Sequence, residues 1–265
     1  MTTEDRVTTE DRVTTFSKTR VDAPAGFFEF EAAGLRWLAG AQHAGGASIV
    51  GVLDVGPGFI HLEELQPGPA TAAAAEQFGR ALAVTHAAGA DAFGSPPAGW
   101  TGEGWIGRQR QSMQPTRSWG TFYAEQRVRP FVRRALDNSN LDRAGAAVVD
   151  RLCDRIAAGE FDDDAPPARL HGDLWSGNVM FSKRGVVLID PAAHGGCGET
   201  DLAMLALFGC PKLDRIRRAY AEVADLPADW MDRTALHQLH PVAVHAVSHG
   251  PWYARQLVQL ARHYG

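Results

Sequence analysis

The pattern of apolar and polar positions changes character along the chain. VTTFSKT (13–19) mixes β-branched and aromatic residues and predicts a strand that carries Lys18. In FFEFEAAGLRWLAG, Phe27, Phe30, Leu35 and Leu38 fall on helical spacing, with Gly40 as the stop. SIVGVLDV (48–55) and FIHLEEL (59–65) flank Gly56-Pro57-Gly58 and predict a hairpin. QPGP at 66–69 breaks the pattern and reads as a linker. Beyond it the rhythm is mostly helical, over 71–89, 119–137 and 141–158, with loops at 94–107 and 161–168, the aspartates of the second being read as solvated. NVMFS and GVVLID flank Lys183-Arg184-Gly185 as a second hairpin. From Thr200 onward helices are predicted with breaks at Pro211, Pro227, Pro241 and Pro251. The expected architecture is α+β in two lobes: a small β-rich lobe over 1–65 and a larger, mainly helical lobe over 66–265.

Composition narrows the classes without choosing one. At 265 residues, 45% hydrophobic, the chain has enough apolar material for a large core. A net charge of −5 gives no reason to expect a nucleic-acid or anionic-membrane partner. Cys153, Cys197 and Cys210 form neither a CxxC pair nor an even framework, as in a reducing cytoplasm. The first twenty residues are polar, unlike a secretory leader, and LAMLALFGC (202–210) is too short to span a bilayer. Cytoplasm is the expected compartment. Lysine is confined to Lys18, Lys183 and Lys212, so a mechanism needing a lysine in the first 180 residues must use Lys18.

HGDLWSGNVMF (171–181) is too polar a mixture to have been assembled for packing. Asp173 and Asn178 are separated by four residues, and Asp190 follows the asparagine by twelve, after a hairpin. Protein-kinase catalytic loops share this spacing. Phosphoryl transfer asks the protein mainly for positioning and charge neutralisation. One carboxylate, Asp173, would face the acceptor hydroxyl, while Asn178 and Asp190 hold Mg²⁺ against the phosphates of ATP. Asp190 ends a buried apolar strand, where a lone charge is costly, so a cation partner is expected. Such lobes also need a lysine paired with a helix glutamate. Lys18 and Glu31 fit, and Glu29 faces about 160° away from Glu31. LEEL (62–65) would be the hinge, where backbone groups of Glu63 and Leu65 meet adenine.

These residues carry a family resemblance. LHGDLWSGNVMF, VVLIDPAAHGG and ETDLAMLALFG resemble the fructosamine/ketosamine kinases, relatives of the aminoglycoside and choline kinases within the protein-kinase-like superfamily. FEFEAAGLRWLAG, WIG (105–107) and WGTFYAEQRVRP (119–130) add to the likeness, which runs from about Val13 to the C-terminus. LWSGN is its specific part. The resemblance implies ATP- and Mg²⁺-dependent phosphorylation of a sugar hydroxyl, typically the 3-hydroxyl of a ketosamine on a small amine or a protein lysine. The phosphorylated adduct then releases the amine, a repair of glycation. By position, Asp173 resembles the catalytic base, Asn178 and Asp190 the metal ligands, and Lys18 and Glu31 the phosphate-binding pair. Asp201 resembles the buried aspartate that holds the catalytic-loop backbone. His171 is expected to brace that loop, and Trp175 either lays its indole on a sugar face or packs beneath the loop.

The chain also departs from that family. TTEDRV stands at 2–7 and again at 8–13, and the first glycine, Gly26, comes eight residues after Lys18. A loop covering phosphates needs glycine for close backbone approach. Either an upstream segment supplies it, or the small lobe is truncated and ATP binding and turnover are weak. Cys197 and Gly198 in GGCGETD also differ from the family, which bears on acceptor preference, and SHGPWY (248–253) replaces a glycine-rich stretch. Two alternatives stay open: a kinase of another hydroxyl acceptor, aminoglycoside-like or choline-like, and a degenerate kinase-fold binding protein. His237, His240, His245 and His249 have ligand-like spacing, but Pro241 interrupts them and no cysteine or carboxylate stands within the stretch. Packing or acceptor-side contacts are expected of them. Oligomeric state is not legible.

Overall fold

The computed structural model describes residues 14–226 and 228–265; the TTEDRV repeat and Pro227 lie outside them. Strand β1 (Thr15–Thr19) carries Lys18 and leads to helix α1 (Phe27–Ala39). Phe28, Phe30, Leu35 and Leu38 bury one stripe of α1, and the chain turns at Gly40. After β2 (Ser48–Ile49), strands β3 (Val52–Gly56) and β4 (Phe59–Glu63) form the expected hairpin. The sheet order is β1-β4-β3, antiparallel, with Lys18 opposite Ile60 and Thr15 opposite Glu63.

The expected 48–55 strand is split. Ser48 and Ile49 leave the small sheet and pair in parallel with Val187 and Leu188. QPGP is not a free linker either: Gly68 N–H donates to Phe181 O at 2.8 Å, and Lys183 N–H to Gln66 O at 3.3 Å. Apolar residues of the small sheet and α1 therefore share a core with the rest of the chain, where Phe28, Leu35 and Ile60 pack with Phe78, Leu82, Leu188 and Ile216.

Helix α2 (Ala72–Ala87) starts on Thr71, whose side chain accepts from Ala74 N–H. The 94–107 stretch is not all loop: β5 (Gly104–Ile106) pairs with β6 (Gln109–Gln111). The 119–137 helix is three pieces in one run: α3 (Trp119–Phe122), a π-helical stretch (Tyr123–Val128) and α4 (Arg129–Asp137). Inside the π stretch, Arg127 is 1% exposed with no carboxylate partner among the described residues. It stacks on Phe122 and donates to Ser112 O at 2.8 Å. Burial pulls its guanidinium down to about 9. Helix α5 (Arg143–Ala157) follows, capped by Asp142.

Not all the aspartates at 162–164 are simply solvated. Asp162 accepts from Gly120 N–H at 2.7 Å and Ser118 Oγ at 2.9 Å, and Asp163 pairs with Arg233. Strand β7 (Ala168–Leu170) then enters the catalytic stretch, and β8 (Val179–Ser182) and β9 (Gly185–Leu188) form the second predicted hairpin. Strand β10 (His194–Gly196) pairs antiparallel with β7. Helices α6 (Gly198–Leu207), α7 (Leu213–Ala221), α8 (Thr234–His237), α9 (Leu239–His249) and α10 (Pro251–His263) complete the chain. The break expected at Pro241 falls just before it, at Gln238, between α8 and α9. Pro241 itself occupies the first turn of α9, where a missing N–H costs nothing. The described residues form an α+β fold of a small sheet with one helix beside a larger helical body. No helix among them is long and apolar enough to cross a membrane.

Candidate active site

The catalytic stretch hangs between β7 and β8 and is held from behind by one buried side chain. Asp201, in the first turn of α6 and 1% exposed, accepts His171 N–H at 2.8 Å and Gly172 N–H at 3.0 Å. His86 Nε2 lies 3.2 Å from the same carboxylate, and Tyr220 OH lies 2.8 Å from His86 Nδ1. Burial alone would raise the Asp201 carboxyl, but the His86 contact, the nearby His171 ring and the Gly172 amide hold it below its ordinary value. Gly172 has φ 81, and a Cβ there would strike the Ala192 carbonyl, which accounts for glycine between the histidine and the aspartate. His171 is buried, and its Nε2 lies 2.8 Å from Ile189 O, tying the loop to the end of β9. With that nitrogen protonated, Nδ1 accepts the Asp173 N–H at 3.3 Å. His171 thus braces the loop through both ring nitrogens.

Asn178 is buried, and its Nδ2 donates to Asp173 O at 2.8 Å, to Asp173 Oδ2 at 3.3 Å and to Asp190 O at 3.3 Å. The amide thereby joins the two ends of the hairpin, and its Oδ1 has no hydrogen-bond partner among the described residues. Asp190 sits at φ 55, unusual for a residue with a side chain. Its Oδ1 lies 2.7 Å from Lys18 Nζ, and Glu31 Oε1 is 2.7 Å from the same ammonium. The cation partner expected for Asp190 is therefore Lys18. Burial would lower the Lys18 ammonium, but the Glu31 and Asp190 carboxylates outweigh it and hold it above its ordinary value. Glu31, not Glu29, faces the lysine.

Asp173 is half-buried. Burial, opposed by the Asn178 hydrogen bond and reinforced by the Asp190 and Asp201 charges, raises its carboxyl to about 7. It lines a cavity of about 660 Å³. Trp175, 40% exposed, forms part of the same wall. Its indole meets Phe208 edge-on and lies over Gly177, where any Cβ would collide with the ring. The ring therefore covers the loop from above and presents its free side to the cavity. His245, stacked on His249 and tilted against Phe208, continues this aromatic wall, with Tyr253 beside both. His245 and His249 thus stand where acceptor-side contacts were expected of them, whereas nothing local in the sequence marked Phe208 or Tyr253 as cavity residues.

Glu63 and Leu65 stand at the end of β4, three and five positions beyond Ile60, the partner of Lys18. Glu63 N–H is committed to Gly51 O at 2.8 Å, and its carboxylate to Arg184 at 2.8 Å. Only its carbonyl is left to meet a ligand. Leu65 N–H has no partner among the described residues.

A lysine–glutamate pair facing an Asp-x4-Asn loop and a hairpin aspartate, on this α+β frame, defines a protein-kinase-like phosphotransferase. The wider fold is shared with a gentamicin-bound aminoglycoside phosphotransferase, with a TM-score of 0.59 at 11% identity over 94% of this chain and 83% of that one. The model of the fructosamine kinase family matches residues 3–264, and the chain belongs to that family. A solved protein from Thermobifida fusca, assigned as a fructosamine-3-kinase, is 44% identical with a TM-score of 0.85, over 94% of this chain and 84% of that one. A probable ketoamine kinase of Enterococcus faecium is 28% identical over 94% of this chain and 87% of its own length. Membership makes the chain a kinase, and the family's chemistry implies ATP as donor.

Proposed function

We propose that the protein transfers the γ-phosphoryl group of ATP to a sugar hydroxyl of a ketosamine, as a fructosamine or ribulosamine 3-kinase. The observation that carries this reading is the convergence of Asp173, Asn178, Asp190, Lys18 and Glu31 beside a cavity walled by Trp175. Asp173 accepts the hydroxyl proton as the hydroxyl oxygen bonds to the γ-phosphorus, and the bond to the bridging oxygen breaks to release ADP. A carboxyl poised near 7 suits a base that must be free of its proton yet able to take one. Lys18, oriented by Glu31, would neutralise phosphate charge. Leu65 N–H and the Glu63 carbonyl are the free backbone groups for adenine.

Asn178 Oδ1 and the half-exposed Asp190 carboxylate are the hard oxygen donors that suit Mg²⁺. Bound there, the ion would supply charge neutralisation at the phosphates. His171 and Asp201 act through the loop they hold. The functional division falls at 1–65 and 66–265, with nucleotide groups in the first segment and the acceptor cavity in the second. Repair of glycated amines in the cytoplasm is the role that follows. Screening glycated lysine, ribulosyl-lysine, an aminoglycoside and choline for ADP release tests the acceptor. Preferential turnover of the glycated lysines is expected; preference for either of the others would replace the reading with that of another hydroxyl kinase.

A further inference from the structure

Behind the catalytic loop lies a second cavity, of about 520 Å³, lined at one end by Cys197, Glu199, Arg233 and His237. Phosphoryl transfer has no use for this cluster. Cys197 immediately precedes α6, Glu199 lies in its first turn, and His237 ends α8. One donor atom from each of these three residues lies within 4.8 Å of the other two. Glu199 is 5% exposed and His237 3%.

Hydrogen bonding leaves this cluster incomplete. Arg233, held also by Asp163 at 2.9 Å, takes Glu199 Oε1. Glu199 Oε2 is buried with no hydrogen-bond partner. The nitrogen facing it, His237 Nε2, is 3.5 Å away, longer than the ~2.7–3.2 Å of an N–H···O bond. Thr200 Oγ1 lies 3.0 Å from His237 Nδ1. When Nδ1–H donates to that hydroxyl, Nε2 turns a lone pair towards the carboxylate, and two acceptors face each other. A cation between them removes the conflict. Ligand atoms bonded to zinc at tetrahedral angles, with bonds of ~2.0–2.1 Å, stand about 3.3 Å apart, close to this spacing.

We propose that Cys197 Sγ, Glu199 Oε2 and His237 Nε2 form a site for a thiophilic divalent ion, Zn²⁺ foremost, with its fourth position open to the cavity. Thiolate and imidazole donors select such an ion over Mg²⁺. Thr200 Oγ1 can accept Nδ1–H in the tautomer that leaves Nε2 for the ion, and Arg233 orients the carboxylate through its other oxygen. The charges also balance. Glu199, Asp163 and Arg233 sum to one negative charge; binding a divalent ion while the thiol loses its proton to water brings the sum to zero. Glu199 and Asp201 share the first turn of α6, so the ion clamps the turn from which Asp201 holds the catalytic loop.

The test is a Co²⁺ titration of the chelator-stripped full chain, read by thiolate-to-cobalt charge-transfer absorption. One equivalent is expected to produce the band, Zn²⁺ to abolish it, and excess Mg²⁺ to leave it unchanged. Cobalt on the oxygen donors near Asp190 gives no such band. Cys197→Ser and His237→Gln are each expected to lose it. Absence of the band in the wild-type chain overturns the site, as does its survival in Cys197→Ser, which would move the thiolate to Cys153 or Cys210. Should Cys197→Ser fail to fold, an undiminished band in both His237→Gln and Glu199→Gln overturns it equally.

Discussion

Asp173 is basic because it is poorly solvated, and that origin has two measurable consequences. Burial raises its carboxyl to about 7, so kcat/KM should fall as pH drops through 7, with the acid limb lost in Asp173→Asn. A pH–rate profile that stays flat between pH 5.5 and 8 would contradict this. The same shift bears on stability. The folded state binds this proton more tightly than the unfolded state, so stability falls as pH rises from about 4 to 7 and is lowest above it. The cost at pH 8 is at most ~4 kcal/mol, the difference between a carboxyl of ordinary acidity and one raised to about 7. Asp173→Asn should therefore melt higher than wild type at pH 8, with a smaller gain at pH 5. Equal or lower melting temperatures at pH 8 would show that the carboxylate is not strained.

At the scale of elements, α6 carries the support of the catalytic loop. Asp201 satisfies two loop amides and His86 at once, so Asp201→Ala leaves three buried donors without an acceptor. A loss of about 3–5 kcal/mol is expected, measurable by urea denaturation, together with a fall in turnover. Because the Asp201 carboxyl is held low, its contribution is present above about pH 4 and is lost as pH falls through the depressed folded value. Gly172→Ala should damage the same loop from within, since it combines φ 81 with a collision at the Ala192 carbonyl. A variant with wild-type turnover would show that the loop tolerates another backbone path.

Across the whole molecule, the elements that sequence made legible are those with a strong period or sharp punctuation: α1, α2, α5 and the two hairpins. Short pieces escaped notice. Strands β5, β6, β7 and β10 have three residues each, too few to establish an alternation. The departure of Ser48–Ile49 to β9 depends on a partner far along the chain, which local pattern cannot supply. The Asp173–Asn178–Asp190 spacing was readable because one loop and one hairpin carry it. The Cys197–Glu199–His237 cluster was not, because α6 and α8 meet only in the fold. The link between small sheet and helical body is itself testable, since Lys18 reaches across to Asp190. Mg·ATP at one hundred times its Kd should add about 2.7 kcal/mol of stability to the wild-type chain. Lys18→Met should lose most of that gain; an undiminished shift would remove Lys18 from the nucleotide site.

The most direct measurement compares wild type and Asp173→Asn for ADP release with glycated lysine, alongside Mg·ATP affinity by calorimetry. Turnover should drop by about 10²–10⁴-fold while ATP affinity changes little. Retained turnover in Asp173→Asn would contradict the assignment of the base, and with it the account of this site.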